Sequence, residues 1–313
     1  MKIWQIMPPA AMVNSIAEFF IRYGVALLWP GDPGRWSPDR YSEYGVNDWT
    51  RWFAETMSVG DAILLRTGQN QIRAVGLVAS EYSYEDRFDD VHGFDLQHCR
   101  RVRWCRLPQD YEFGGSVFTR GRFSCVRKAS VREYVTNFLA SPPTYWREAP
   151  LPELPPEEPS LDDVPQKFRD IVARAQDLVP LYGNRECFGD YPTEDELVAH
   201  FVIPFLRALG WPPEQIAVKW RYIDVTVFAA LPRTPENCRF VIEAKRLGAG
   251  VEGALEQAKG YVESLDVLRD VVVTDGIRYR VYASERAFEP VAYANLIRLK
   301  RSAVELFDRL TRP

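Results

Sequence analysis

The chain has 313 residues, 46% hydrophobic and 26% charged, which excludes a disordered chain and leaves material for two ordinary domains. No stretch of about 18 uncharged apolar residues occurs, and the opening MKIWQIMPPAAMVNSIAEFF lacks the long apolar run and small-residue site of a secretory signal, so neither a membrane span nor a leader is expected. The net charge of −4 argues against a uniformly basic nucleic-acid coat; five widely spaced cysteines (Cys99, Cys105, Cys125, Cys187, Cys238) without a CxxC, and only three histidines, argue against a disulfide framework or zinc ribbon and for reduced thiols in the cytoplasm.

Residues 1–148 read as many short strands with few helices. KIWQIM, GVALLW, DAILLR and IRAVGLVAS are short apolar runs, the last two separated by the turn signal TGQNQ. HCRRVRWC alternates as a strand, and SVREYVTNFLA reads as a helix with Ser130 as N-cap and Glu133 three residues on. Such a pattern predicts a small β-barrel or strongly curved sheet. Trp49 and Trp52 share a helix face at i, i+3, and with Trp4 and Trp104 read as core. Trp29 and Trp36 instead flank the loop WPGDPGRW. Their ring faces, with Asp32 as acceptor, suit a flat base, while loop packing is the plain alternative. Arginines for phosphate contacts cluster at Arg100, Arg101, Arg103 and Arg106, and at Arg120, Arg122, Arg127, Lys128 and Arg132, or form a solvated charged face.

Residues 149–165 hold Pro150, Pro152, Pro155, Pro156, Pro159 and Pro165 among acidic side chains. Proline denies the backbone a donor, so the segment reads as a stiff, extended, solvated linker. Residues 166–313 form a second domain. TEDELVAHFVIPFLRALG is an amphipathic helix capped by Thr193 and stopped by Gly210. The strands YIDVTVFAA and CRFVIEAK, the helix VEGALEQAKGYVESL and the strands DVVVTD and RYRVYA follow, the last two joined by a tight turn at Gly276. PVAYANLIRLKRSAVELFDRL reads as a long amphipathic helix. The order α-β-β-α-β-β-α predicts an α/β core with a mixed sheet.

Asp224 lies inside one apolar strand, and Glu243 and Lys245 inside the next. Charge in a strand interior is costly unless it is paired or binds a metal. Glu243 and Lys245, two apart, share a face, and pairing of the two strands brings Asp224 to Glu243. Two carboxylates beside a backbone carbonyl make a hard oxygen site suited to Mg²⁺, and the adjacent lysine can orient or deprotonate a water, which is the chemistry of phosphodiester hydrolysis. A structural Glu243–Lys245 ion pair is the plain alternative. Gly248, Gly250 and Gly253 fit GxGxxG, but the charged strand before them argues against a dinucleotide site; they read as a tight turn.

Ile223-Asp224 followed by Glu243-Ala244-Lys245 resembles the PD-(D/E)xK nuclease signature. The run from Thr193-Glu194 through Ile203-Pro204-Phe205-Leu206 to Leu209-Gly210-Trp211 is similar to the opening helix of the nuclease domain of type I restriction motor subunits. Gln257 and Tyr261 match the QxxxY element of RecB-like nucleases, and Thr274-Asp275-Gly276 resembles the strand end that follows. This resemblance covers roughly residues 190–285 and implies Asp224 and Glu243 as metal ligands, Lys245 as the water-handling residue, and Glu194 and Gln257 as support. Glu196 competes with Glu194 for the helix-carboxylate role.

From Lys2 to about Pro108 the chain resembles EVE domains of the PUA superfamily. The matching pieces are Ile3-Trp4, Gly24-Val-Ala-Leu-Leu-Trp29, Gly60-Asp61-Ala-Ile-Leu-Leu, Ala74-Val-Gly76-Leu-Val and Arg101-Val-Arg103-Trp104. That resemblance implies a flipped modified base held in an aromatic cage, here Trp29, Asp32 and Trp36. Together the two imply a cytoplasmic, Mg²⁺-dependent, modification-dependent restriction endonuclease acting on double-stranded DNA that carries modified cytosine. No Walker motif is present, so no ATP is expected. Double-strand cutting needs two chains or two visits, and a homodimer meets that need. A non-catalytic modified-base binder and a nuclease acting on RNA are the alternative readings.

Overall fold

The computed structural model describes the chain apart from residues 10–11, 30–33, 44–47, 119–120, 145, 147–148, 183–191 and 248–253. Asp32, Arg120, Cys187 and the three glycines of the GxGxxG match lie outside the described residues. The chain divides into two compact units, Met1–Glu157 and Glu158–Pro313.

In the first unit the strands are β1 (Ile3–Ile6), β2 (Val25–Leu28), β3 (Ala62–Arg66), β4 (Gln71–Val78), β5 (Ser83–Tyr84), β6 (His98–Glu112) and β7 (Phe123–Cys125). They form one mixed sheet in the order β2-β6-β4-β3-β1-β7, with β5 also on β6; β1 and β3 are parallel. The 15-residue β6 pairs with β2 at its start and with β4 beyond, so the sheet curls as half a barrel, with its end strands β2 and β7 apart in the strand order. Successive β3 residues alternate between two apolar clusters, because strand side chains point to opposite faces. The helix Val13–Tyr23 covers one face and Ala129–Ala140 the other. Gly76 is required where β4 meets β6, since a Cβ there would lie 2.5 Å from Val102 and 2.6 Å from Trp104. Asp61 is buried and accepts from the Trp4 indole (2.9 Å) and the Lys2 amide (2.7 Å), tying β1 to the start of β3. The helix Ala129–Ala140 begins after Lys128 with no side-chain cap, so Ser130 lies within its first turn rather than at the N-cap.

Most of the proline-rich segment is exposed, and it is held at a few points. Its first part belongs to the first unit: Leu154 packs on the core, Arg101 donates to the Pro152 carbonyl, and Arg87 holds the Pro155 carbonyl (3.0 Å) and Glu157. Its second part belongs to the second unit, with Leu161 and Val164 on the core, the Leu161 amide on the Leu299 carbonyl (2.9 Å), and Glu158 on Ser302. Proline cannot donate to a ladder, but its carbonyls accept and its neighbours' apolar side chains pack.

The second unit carries β8 (Ile216–Trp220), β9 (Ile223–Phe228), β10 (Cys238–Ala244), β11 (Asp270–Thr274), β12 (Arg278–Ala283) and β13 (Glu289–Asn295) in a mixed sheet ordered β13-β12-β11-β10-β9-β8. Only β10 and β11 are parallel, and the helix Ala254–Ser264 connects them. That helix packs on one face; Gln166–Tyr182, the succession Glu194–Leu197, Val198–Val202 and Ile203–Ala208, and Ala303–Leu310 lie on the other. Three elements depart from the sequence reading. Gln166–Tyr182 and β8 are additional, and the C-terminal helix is only Ala303–Leu310, because Glu289–Asn295 pairs with β12 as an edge strand. Pro290 sits at that edge, where a missing donor is tolerated.

Candidate active site

The register of β9 against β10 runs Phe240↔Val227, Val241↔Thr226, Ile242↔Val225. The next step sets Glu243 opposite Asp224, and the Ala244 amide donates to Asp224 Oδ2 (2.8 Å). Both carboxylates are buried, Glu243 to 1% exposure. Lys245 Nζ donates to Glu243 Oε1 (2.5 Å) and Gln257 Oε1 (3.1 Å), and Gln257 Nε2 donates to the Tyr261 hydroxyl (2.9 Å). Gln257 and Tyr261 are one turn apart on the helix Ala254–Ser264, so one helix face closes the site over the ends of β9 and β10. β11 fixes the level, as the Lys245 amide donates to the Thr274 carbonyl (2.8 Å).

Four sequence-predicted residues thus meet: Asp224, Glu243, Lys245 and Gln257. Glu194 does not. Among the described residues its side chain makes no hydrogen bond or ion pair, and Glu196 is used in a capping box with Thr193 (Thr193 N to Glu196 Oε2, 2.7 Å). The helix start reaches the cluster through Asp195, whose carboxylate binds Lys219 Nζ (3.1 Å); the same ammonium binds Asp224 Oδ1 (2.7 Å). A carboxylate one residue on faces a different direction around the helix, which sequence order alone does not resolve. Lys219 is a member of the cluster that the sequence alone does not point to. Its contact depends on the β8–β9 register and on a left-handed backbone, φ 55°, and no sequence signal announces either.

The electrostatics mark Glu243 as the strained member. Burial, and then the Asp224 charge, push its carboxyl up to about 7 against the pull of Lys245, while Asp224 and then Asp195 hold the Lys219 ammonium above its ordinary range. Glu243 Oε2 is buried and has no hydrogen-bond partner among the described residues. No three His, Cys, Asp or Glu side chains converge among the described residues, so a cation here would rest on two carboxylates. The orphaned oxygen beside a second carboxylate fits a hard divalent cation, which would take up the charge that burial disfavours.

This gives a pH test. Folded Glu243 keeps its proton up to about pH 7, against 4.5 for the ordinary group. The native state therefore binds more protons between those values, and stability is greatest below the lower one and falls as pH rises through the upper. Without added divalent cation, Glu243→Gln should gain roughly 1–3 kcal/mol on the wild type between about pH 5 and pH 8. Urea melts at both pH values read the difference, and parallel pH dependence in the two proteins would refute it.

In the first unit Trp29 is a core residue, 3% exposed, with the Arg122 guanidinium 4.6 Å from its ring centroid. Trp36 is half-buried, donates its indole N–H to Glu55 (2.7 Å) and its amide to the Tyr82 hydroxyl (3.1 Å), and lies 4.7 Å from the Tyr41 ring. Tyr41 and Tyr82 hydroxyls bracket the two nitrogens of buried His98 at 2.8 and 2.9 Å. The first arginine cluster is partly consumed by the fold. Arg100 is buried on the carbonyls of Phe53 (3.0 Å), Ala54 (2.8 Å) and Ser80 (3.1 Å), and Arg106 pairs with Glu18. Arg122, Arg127, Lys128 and Arg132 are exposed.

A family model described as a domain of unknown function (DUF8426) matches residues 35–118. No curated protein matches the chain. Among solved structures the chain is similar to a fragment assigned as an HsdR subunit of a type I restriction enzyme from Vibrio vulnificus YJ016, at 21% identity and TM-score 0.27, over 38% of this chain and 25% of that one. The match thus spans a quarter of that protein's length, and at that score the likeness carries no argument. Among the described residues no helix is long and apolar enough to cross a membrane.

Proposed function

We propose that the chain is a Mg²⁺-dependent, modification-dependent restriction endonuclease. The first unit flips and holds a modified cytosine of double-stranded DNA, and the second hydrolyses a phosphodiester bond nearby. The observation that carries the reading is the continuous cluster Asp224–Glu243–Lys245–Gln257–Tyr261. A structural ion pair would need only Glu243 and Lys245; here a second buried carboxylate and a helix-borne amide converge on them.

Asp224 and Glu243 would hold the metal, which when bound lowers the pKa of a water and offsets charge on the phosphate. Gln257, fixed by Tyr261, aims the Lys245 ammonium across the site, where it orients the water and hydrogen-bonds a phosphate oxygen. The Ala244 amide and Lys219 set the rotamer of Asp224. The arginines and lysine at Arg122–Arg132 supply phosphate contacts that position without reading sequence.

Digestion of genomic DNAs carrying methylated, hydroxymethylated or no modified cytosine, with Mg²⁺ and alongside RNA substrates, tests the proposal. Cutting confined to modified DNA and lost in Lys245→Ala supports it; DNA that is bound but uncut by the wild type overturns the enzyme. For the reader, the exposed part of Trp36 beside Tyr41 is the stacking face, and Trp29 is core. Trp36→Ala should lose preference for modified DNA with the melting temperature retained, whereas Trp29→Ala should cost roughly 3–5 kcal/mol of stability. Equal stability of the two variants would remove this assignment.

A further inference from the structure

The hairpin between β8 and β9 turns on residues that its backbone conformation disfavours. The pair Trp220↔Ile223 leaves a two-residue loop, Arg221–Tyr222, with φ of 51° and 69°. Two left-handed residues in such a loop are the type I′ pattern, whose usual occupants are Asn and Gly because a Cβ crowds the backbone there. Lys219 is left-handed too, so three of four consecutive residues hold a conformation their side chains disfavour. Strain of this kind persists where the side chains are used.

What the tip presents is specific. Trp220 roots it, packed on the core under the Ala254–Ser264 helix and edge-on to Phe228 at 5.0 Å. The Arg221 guanidinium lies 4.8 Å from the Trp220 ring centroid. Tyr222 stands out at 88% exposure. Asp224 is two residues further along β9, its carboxylate in the site, with Lys219 on it.

We propose that this tip grips the polynucleotide at the cleavage site. Tyr222 stacks on an unpaired or frayed base next to the phosphate held at Asp224 and Glu243, and Arg221 pairs with a neighbouring phosphate. A flat aromatic face and a guanidinium one residue apart match a polymer that repeats a π-face and a phosphate in every nucleotide, and such stacking is indifferent to sequence. The proposal rests on the nuclease reading and adds a substrate contact to it.

The test uses the full chain carrying Lys245→Ala, so that DNA stays intact, and measures anisotropy of short fluorescent single-stranded and duplex oligonucleotides. Tyr222→Ala should weaken single-strand binding about tenfold, with Tyr222→Phe close to the parent. The double substitution Arg221→Asn, Tyr222→Gly should weaken binding and raise the melting temperature, since it suits the turn. If the parent binds and Tyr222→Ala binds equally well, the tip assignment fails while the nuclease reading stands. If the parent binds neither oligonucleotide, the tip grips no polynucleotide and the assignment fails, while the nuclease reading is decided separately by the digestion of modified DNA.

Discussion

On the proposed nuclease reading, Asp224→Asn should slow cleavage of modified DNA by roughly 10³-fold or more, the rate equivalent of about 4 kcal/mol of lost charge stabilisation at the reacting centre. The substitution keeps the side chain's size, so the loss comes from charge and hydrogen bonding. Asp224 accepts from Lys219 Nζ at one oxygen and from the Ala244 amide at the other. Asparagine offers one acceptor and one NH₂, so one of those donors then faces a donor. The side chain must turn, and the negative charge beside Glu243 is gone. Lys245→Ala should give a loss of similar size by a different route: it removes the group that Gln257 and Glu243 aim, and leaves Glu243 buried without its ion-pair partner. Single-turnover rates separate these effects from product release. Cleavage by Asp224→Asn within about tenfold of the wild type would remove Asp224 from the chemistry.

The cluster was legible because its residues break local rules in a patterned way. A carboxylate inside an apolar strand has few inexpensive explanations. Glu243 and Lys245 at i, i+2 and Gln257 and Tyr261 at i, i+4 are spacings whose geometry follows from the element alone. Lys219 was not legible, because its place depends on pairing between strands and on a left-handed backbone that nothing in Ile216–Trp220 requires. Glu194 and Asp195 were separable only by the direction of a helix turn. In the fold, the strands of the first unit announced themselves as short apolar runs. β13 did not: in Glu289–Asn295 the side chains suit helix or strand equally, and the choice is made by β12 offering a free edge. Gln166–Tyr182 was hidden behind the acidic, proline-rich approach to it. Trp29, at the end of an apolar strand and the start of a Pro-Gly loop, reads equally as core or as loop, and burial decides it.

Asp275→Ala should destabilise the second unit by about 3–5 kcal/mol, although Asp275 lies outside the proposed chemistry. Its carboxylate is fully buried and accepts from the Arg278 guanidinium (2.7 Å) and from the amides of Ile277 (3.3 Å) and Arg278 (2.8 Å). Arg278 is itself buried, so the alanine variant removes a charge-assisted bond from a buried guanidinium and the acceptor of two turn amides, and that loss exceeds the value of the pair in isolation. Asp275→Asn keeps an acceptor for the amides and should fall between. Gly276 follows at φ 91°, where a Cβ would lie 3.4 Å from the Phe201 ring, so the turn cannot easily slide to compensate. Urea melts followed by tryptophan fluorescence read the cost, and a change under about 1 kcal/mol would show that the turn is held by other means. The consequence reaches the site. Thr274, next to Asp275, gives its carbonyl to the Lys245 amide, so loosening this turn frees the strand end that sets the height of Lys245 against Glu243 and Gln257. Activity in Asp275→Ala should therefore fall at temperatures where the variant is still folded.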